Sequence, residues 1–174
     1  MPQTTVNDTQ SVALFEGALA DSSRPECESR VNEEASAEIP FGVMVAEGSA
    51  DKQKGALNLS AQADKLAGVV THSHAYNKDN ELGATGLKPD VVMTVLRRGV
   101  VWVKVEESVT PDSPVRVRAV ATGSEVPGAF RTSQDLTDTI DISSFARYLG
   151  SASAGGLVKL WIDMLDRADA VLDT

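Results

Sequence analysis

The sequence predicts a mainly β protein: a compact β-barrel or β-sandwich of about seven to nine strands, with an extended acidic N-terminal arm and a short C-terminal tail that could form a helix. Three observations predict it. Short runs rich in Val, Leu and Ile, bounded by Gly, Pro, Asp and Asn, recur at residues 66–74, 91–96, 100–106, 115–120, 129–132 and 157–162. No long stretch carries the apolar period of a helix. Charge is concentrated at the chain ends. The first 40 residues hold eight Asp or Glu against Arg24 and Arg30, and residues 163–174 hold four Asp against Arg167, while thirteen acidic and thirteen basic residues cancel between them. The ends therefore account for the whole formal charge of −9.

The arm, residues 1–38, contains one apolar patch, Val12-Ala13-Leu14-Phe15, and a break at Ser22-Ser23-Arg24-Pro25. It is too poor in apolar residues for a core of its own, so it must lie on the rest of the protein, on a neighbour or in solvent. The β-rich domain, residues 39–163, opens on Ile39-Pro40-Phe41-Gly42-Val43-Met44-Val45-Ala46, where Pro40 suits a strand start or edge. Residues 76–90 read as a long surface loop. Residues 91–96 and 100–105 are strongly β-prone and flank Arg97-Arg98-Gly99, which predicts a hairpin with Gly supplying the positive φ of its turn. Both runs are nearly continuously apolar. They should be covered on both faces, by the body of the protein on one side and by a second layer or another subunit on the other. Thr110-Pro111-Asp112-Ser113-Pro114 is a turn. Val115-Arg116-Val117-Arg118-Ala119 then alternates, which predicts buried valines and exposed arginines. After the small, flexible run 151–156 comes a last strand at 157–162. The tail, residues 164–174, has apolar residues spaced for an amphipathic helix that would be marginal alone in water.

Length and composition bound the function. At 174 residues with 42% apolar content, the chain is one domain or one domain with arms. No apolar run reaches the roughly 18–20 residues of a membrane-spanning helix. Met1-Pro2-Gln3-Thr4-Thr5 lacks the basic start of a signal peptide, so a soluble, unexported protein without a membrane partner is expected. The single cysteine, Cys27, forms no intrachain disulfide or Cys-cluster zinc site and suits a reducing cytosol. An acidic balance repels phosphate, which argues against nucleic acid and for a basic protein partner.

Chemistry is sparsely represented. His72 and His74 in Thr71-His72-Ser73-His74-Ala75 share a strand face, but a metal would need a loop carboxylate such as Asp79 or Glu81 to complete its shell. A hydrogen-bonding structural role outweighs metal binding. Two histidines in one place do not support a catalytic triad, and Cys27 among carboxylates is a poor nucleophile. Glu33-Glu34 and Glu106-Glu107 are adjacent, hence face opposite ways on a strand, and read as solvated faces. The Gly-containing segments match no nucleotide cradle. No catalytic residue, metal or cofactor is expected. Arg97, Arg98, Lys104, Arg116 and Arg118 make a basic cluster without aromatic platforms, better suited to carboxylates than to single-stranded nucleic acid. It could receive an acidic arm, the chain's own or a neighbour's.

The succession Ser29-Arg30-Val31-Asn32-Glu33-Glu34, Ile39-Pro40-Phe41-Gly42-Val43, Gly68-Val69-Val70-Thr71-His72-Ser73-His74-Ala75, Val95-Leu96-Arg97-Arg98-Gly99-Val100-Val101-Trp102-Val103 and Pro114-Val115-Arg116-Val117-Arg118 resembles the structural cement (capsid decoration) proteins of tailed bacteriophages. The order of these blocks, over most of the chain, carries the resemblance; residues 165–174 extend beyond it. The resemblance implies a non-enzymatic β-rich protein. It would be assembled in the host cytoplasm onto the outer surface of the phage head, where it bridges major capsid protein subunits and resists internal DNA pressure. It also implies self-association, a homotrimer before a dimer. On this reading Val12, Leu14, Phe15 and Phe41 anchor at subunit boundaries, while residues 26–38, with Arg30, Glu33 and Glu34, meet the capsid. Arg97, Arg98, Arg116 and Arg118 complete the partner-binding set. Two alternatives stay open: a head-to-tail or tail-tube component, and a metal- or carbohydrate-binding module built on the histidine face and the 76–90 loop.

Overall fold

The computed structural model describes residues 15–21, 24–49, 51, 53–60, 65–72, 85–121, 123–135, 138–165 and 171–172. These hold eleven strands: β1 (Glu26–Asn32), β2 (Met44–Glu47), β3 (Lys54–Ala56), β4 (Leu66–Val70), β5 (Val92–Lys104), β6 (Arg116–Arg118), β7 (Phe130–Arg131), β8 (Thr139–Asp141), β9 (Ala146–Tyr148), β10 (Leu157–Asp163) and β11 (Val171–Leu172). The first sheet runs β1-β3-β2-β4-β5-β10-β9. Because β1 also pairs with β5, its first five strands close into a barrel, and β10 and β9 extend from β5. A second sheet runs β11-β8-β6-β7. The mainly β class and the barrel agree with the sequence. The strand count exceeds the expectation because β3, β8, β9 and β11 are only two or three residues long and β1 is polar.

The predicted hairpin is absent: residues 92–104 form one thirteen-residue strand through Gly99. A lone two-stranded hairpin is marginal in water, whereas the continuous strand is paired along both halves. Its first half pairs with β1 and β4, and its second with β10 and the bridge at Leu19. The sequence that suggests a turn instead makes a bulge. Arg97 is the extra residue between the pairs Glu26–Arg98 and Cys27–Leu96, and Gly99 sits at φ 141°.

That bulge divides β5 between two cores. Met93 and Val95 join Val43, Val45, Ala67 and Val70 in a smaller cluster that also takes in Ile39 and Leu87. Beyond the bulge the alternation is shifted by one residue. Val101 and Val103 therefore face the larger cluster, with Val158, Leu160 and Ile162 of β10 and with Val117, Phe130 and Ile140 of the second sheet. The first half of β5 is covered on both faces only next to the bulge, where Leu96 belongs to the larger cluster, while Val92 on the same face is exposed. The second half is covered fully on one face only: Val100 and Trp102 are half-buried and Lys104 is exposed.

Two more expectations change. The segment Glu26–Asn32, inside the arm as drawn from the sequence, is a strand of the barrel whose alternate residues Arg30 and Asn32 are buried. In the tail, Val171 and Leu172 pair antiparallel with Asp141 and Ile140, so this stretch is strand and not helix. The open edge of β8 offers backbone partners that a short isolated helix lacks.

A Cβ at residue 99 would force the bulge out of a φ that L-residues rarely adopt. Gly99→Ala is expected to destabilise the fold by about 1–3 kcal/mol, read as a lower urea midpoint with unchanged slope.

Candidate partner-binding surfaces

The segment before β1 is laid along the second half of β5. Gly17 N donates to Trp102 O, Trp102 N to Ala18 O and Ala20 N to Val100 O, each at 2.8 Å, so residues 17–20 act as an added strand. His72 N donates to Gly17 O, also at 2.8 Å. The approach depends on two glycines set back to back. A Cβ on Gly17 (φ 79°) would stand 2.8 Å from His72 N, and one on Gly42 (φ 74°) 2.8 Å from Gly17 N. The His72 ring then receives Phe15, stacked at 5.1 Å between centroids, and Phe41 at 4.7 Å. Phe15 and Phe41, both expected at a partner boundary, thus meet the same imidazole; Phe15 remains 44% exposed. Val12, Leu14 and His74 lie outside the described residues.

The carboxylates and Arg30 of the arm are engaged within the chain. Arg30 Nε donates to Glu28 at 2.5 Å and Nη1 to Lys54 O at 3.1 Å. Glu33 accepts from Ser49 N and Oγ at 3.0 and 2.7 Å, and Glu34 from Leu57 N at 2.7 Å. Glu38 accepts from Thr85 N at 2.6 Å. The fully buried Asn32 donates to Leu87 O and Lys88 O and accepts from Glu34 N, which ties β1 to the segment before β5. These loop amides need acceptors, and the acidic residues that look like a partner-seeking arm in the sequence supply several of them.

The basic cluster is dispersed, and each member meets carboxylates. Arg97 lies 3.5 Å from Glu28, Arg98 3.7 Å from Glu26 and 3.1 Å from Asp163, and Lys104 3.6 Å from Glu16. Three of the five cations therefore take the chain's own arm, largely in exposed pairs that contribute little each. Arg116 pairs with Asp141 at 3.3 Å and donates to Thr132 O at 2.7 Å.

Arg118, expected to be exposed, is the chief departure: its side chain is 1% accessible. It lies on the opposite face of β6 from the buried Val117, yet three carboxylates close over it. Nε and Nη2 donate to the two oxygens of Glu106 at 2.8 and 2.9 Å, Nη1 donates to Asp135 at 3.3 Å, and Glu125 lies 2.5 Å from Nη2. Arg131 extends the cage, 2.5 Å from Glu107 and 3.1 Å from Asp135. Glu106 and Glu107 are therefore not solvated faces. The chain bends just after β5, and both carboxylates turn to Arg131, with Glu106 also holding Arg118.

The cage shifts its members' titration. Hydrogen bonds donated to Glu106 hold the Arg118 guanidinium charged beyond its ordinary value. Burial pushes the Glu107 carboxyl up, but hydrogen bonds from Ser133 and the Arg131 charge outweigh it, leaving the group below its ordinary value of 4.5. Tyr148 donates its hydroxyl to Arg131 O at 2.9 Å through the larger core, and burial together with Glu107 and Glu106 pushes its phenol well up. Partial burial raises the Cys27 thiol, in keeping with a poor nucleophile.

Beside the cage, a cleft of about 480 Å³ runs between Glu16, Phe41, Lys104, Glu106, Glu125 and Val126. On the far side of the larger core, the outer face of β5, β10 and β9 carries four residues that sequence reasoning passed over. The Arg147 guanidinium sits 4.8 Å from the Trp161 ring and the Lys159 ammonium 5.4 Å from the Trp102 ring. The signal was available: Lys159 and Trp161 alternate with the buried Val158, Leu160 and Ile162.

Removing the buried cation leaves Glu125 without its partner and Glu106 and Asp135 with Arg131 alone. Arg118→Met is expected to cost about 3–5 kcal/mol in urea unfolding, against under about 1 kcal/mol for Arg116→Met on its more accessible pair. Glu107 also predicts acid sensitivity. Its folded-state pKa is depressed, so its contribution is complete above 4.5 and is lost as pH falls through the lower folded value. Melting temperature should decline over that window, and Glu107→Gln should flatten the decline.

The family model described as structural cement protein (E217 gp24/Pam3 gp6) matches residues 2–163. No curated protein matches the chain. Among solved structures, a chain from "The capsid of Myoviridae Phage XM1" superposes with a TM-score of 0.64 at 14% identity, covering 92% of this chain and 98% of that one. At that identity the likeness is one of fold. The family match, which spans the barrel, the second sheet apart from β11 and the segment that docks on β5, is the stronger finding: this chain belongs to the structural cement protein family.

Proposed function

We propose that the protein is a capsid decoration protein: it adds to the outer surface of the assembled phage head, bridges major capsid protein subunits and stabilises the shell against the pressure of packaged DNA. The match of residues 2–163 to the cement family carries this reading. The protein acts by binding and without catalysis, in the virion after assembly in the host cytoplasm, and copies associate with one another, a trimer before a dimer.

The arrangement of the arm refines how attachment works. The carboxylates of residues 26–38 already serve internal amides and guanidiniums. Attachment to the shell therefore rests on the segment preceding Glu16 and on Phe41, with Val12, Leu14 and Phe15 as further apolar anchors. The cleft that Glu16 and Phe41 line lies next to the point where that segment joins the body. Many such contacts repeated over a lattice bind strongly through effective concentration, even where each is weak.

Co-sedimentation with capsids from a phage lacking the protein tests this reading. Near-stoichiometric binding per capsid subunit is expected, and deletion of residues 1–14 should reduce it at least tenfold without lowering the melting temperature. No binding, with a few copies found at the neck or tail of the virion, would make the protein a head-to-tail or tail component instead.

A further inference from the structure

The chain contains two tryptophans, and both lie half-buried on one sheet face, the outer side of β5 and β10. Register puts them together: Lys159 is opposite Trp102, Trp161 opposite Val100, and Arg147 opposite Trp161. Arg147 and Lys159 are exposed and cap the two rings. Among the described residues neither has a carboxylate at ion-pair distance, whereas Arg30, Arg97, Arg98, Lys104, Arg116, Arg118 and Arg131 all do. Two cations left on aromatic platforms, in a chain of net charge −9, call for an acidic occupant. Trp and Arg are also the residues that dominate binding energy at protein interfaces.

A complementary surface is on the same molecule. Around Arg118 and Arg131 stand four carboxylates, Glu106, Glu107, Glu125 and Asp135, an excess of two negative charges against the two positive charges of the tryptophan face. Glu125 and Asp135 are 42% and 40% exposed, within reach of another molecule. Val117 and Phe130 enter the larger core from the cage side, while Val101, Val103 and Leu160 enter it from the tryptophan side. The tryptophans and the carboxylates thus lie on the outer faces of the two sheets, and among the described residues no carboxylate of the cage reaches Arg147 or Lys159.

We propose that copies of this protein associate head to tail, the Trp102–Trp161 face with Arg147 and Lys159 of one copy docking on the carboxylate-rich outer face of the second sheet of the next. Such a heterologous contact closes into a ring when its rotation permits. The inference rests on the self-association part of the reading above and is independent of attachment to the shell.

Because both tryptophans lie on the proposed face, intrinsic fluorescence of the full chain reads its burial directly. Sedimentation velocity and tryptophan emission, followed over a concentration series, should show mass rising and emission shifting to the blue together. Arg147→Glu/Lys159→Glu should weaken association at least about tenfold with melting temperature unchanged, and Glu125→Gln on the opposing face should weaken it in the same direction. An oligomer whose tryptophan emission does not change, or one that the double variant forms as readily as the wild type, would overturn the proposal. So would a double variant that still associates but no longer co-sediments with capsids, since the face would then meet the shell. A wild-type chain that stays monomeric overturns both the inference and the self-association it rests on, while leaving capsid binding, measured separately, to stand or fall alone.

Discussion

The structure depends on one constraint: β5 must serve two cores that lie on opposite sides of it. A strand gives each face only every second residue, so a strand that packs Met93 and Val95 into one cluster and Val101 and Val103 into another has to shift its alternation between them. The bulge at Arg97 and the positive φ of Gly99 make that shift. Closure of the barrel through β1, extension of the sheet through β10 and docking of residues 17–20 all occur on this strand. Even the chain after β10 returns to the bulge, where Met164 N donates to Arg97 O at 2.9 Å.

Electrostatics follow from the same geometry. The barrel and the second sheet leave amides and guanidiniums at strand ends, and acidic residues that look superfluous in a chain of net charge −9 satisfy many of them. The Arg118 cage is the extreme case. A guanidinium with 1% accessibility has lost most of its water and stays charged because Glu106 is bidentate, Glu125 shares Nη2 with it and Asp135 lies at Nη1. The cage joins the end of β5 to the second sheet, which fixes the position of the two sheets across the larger core.

Much of this was legible in the sequence, and the failures share a cause. The β class, the runs that became β4, β5, β6, β7 and β10, and the burial of Val115 and Val117 came from local pattern alone. So did the idea that the basic cluster would receive an acidic arm, as Glu16, Glu26 and Glu28 do. Arg97-Arg98-Gly99 read as a turn because a bulge and a turn ask for the same glycine, and only the neighbouring strands decide between them. Arg118 read as exposed because alternation assigns faces but cannot see that Glu125 and Asp135, seven and seventeen residues on, fold back over one of them. The strand β1 was hidden by its polarity: Glu28 and Arg30 meet each other and residues of β5, β2 and β3, and Asn32 meets the segment before β5, in place of an apolar core.

The sequence and the structure disagree most usefully over the second half of β5. Val100-Val101-Trp102-Val103 is apolar on both faces, which is the pattern of a strand covered twice. In the single chain one face is buried and the other holds Val100 and Trp102 half-open beneath Lys159. A strand that met solvent on that face would carry the alternation seen in β10, where every second residue is buried and Lys159 points outward. The excess apolar character of β5 is not used by the monomer, and a tryptophan held partly open by a flexible lysine keeps that area in water. The pattern is accounted for when a second molecule completes the cover, because the same residues then bury apolar surface while the cation on top finds its carboxylate.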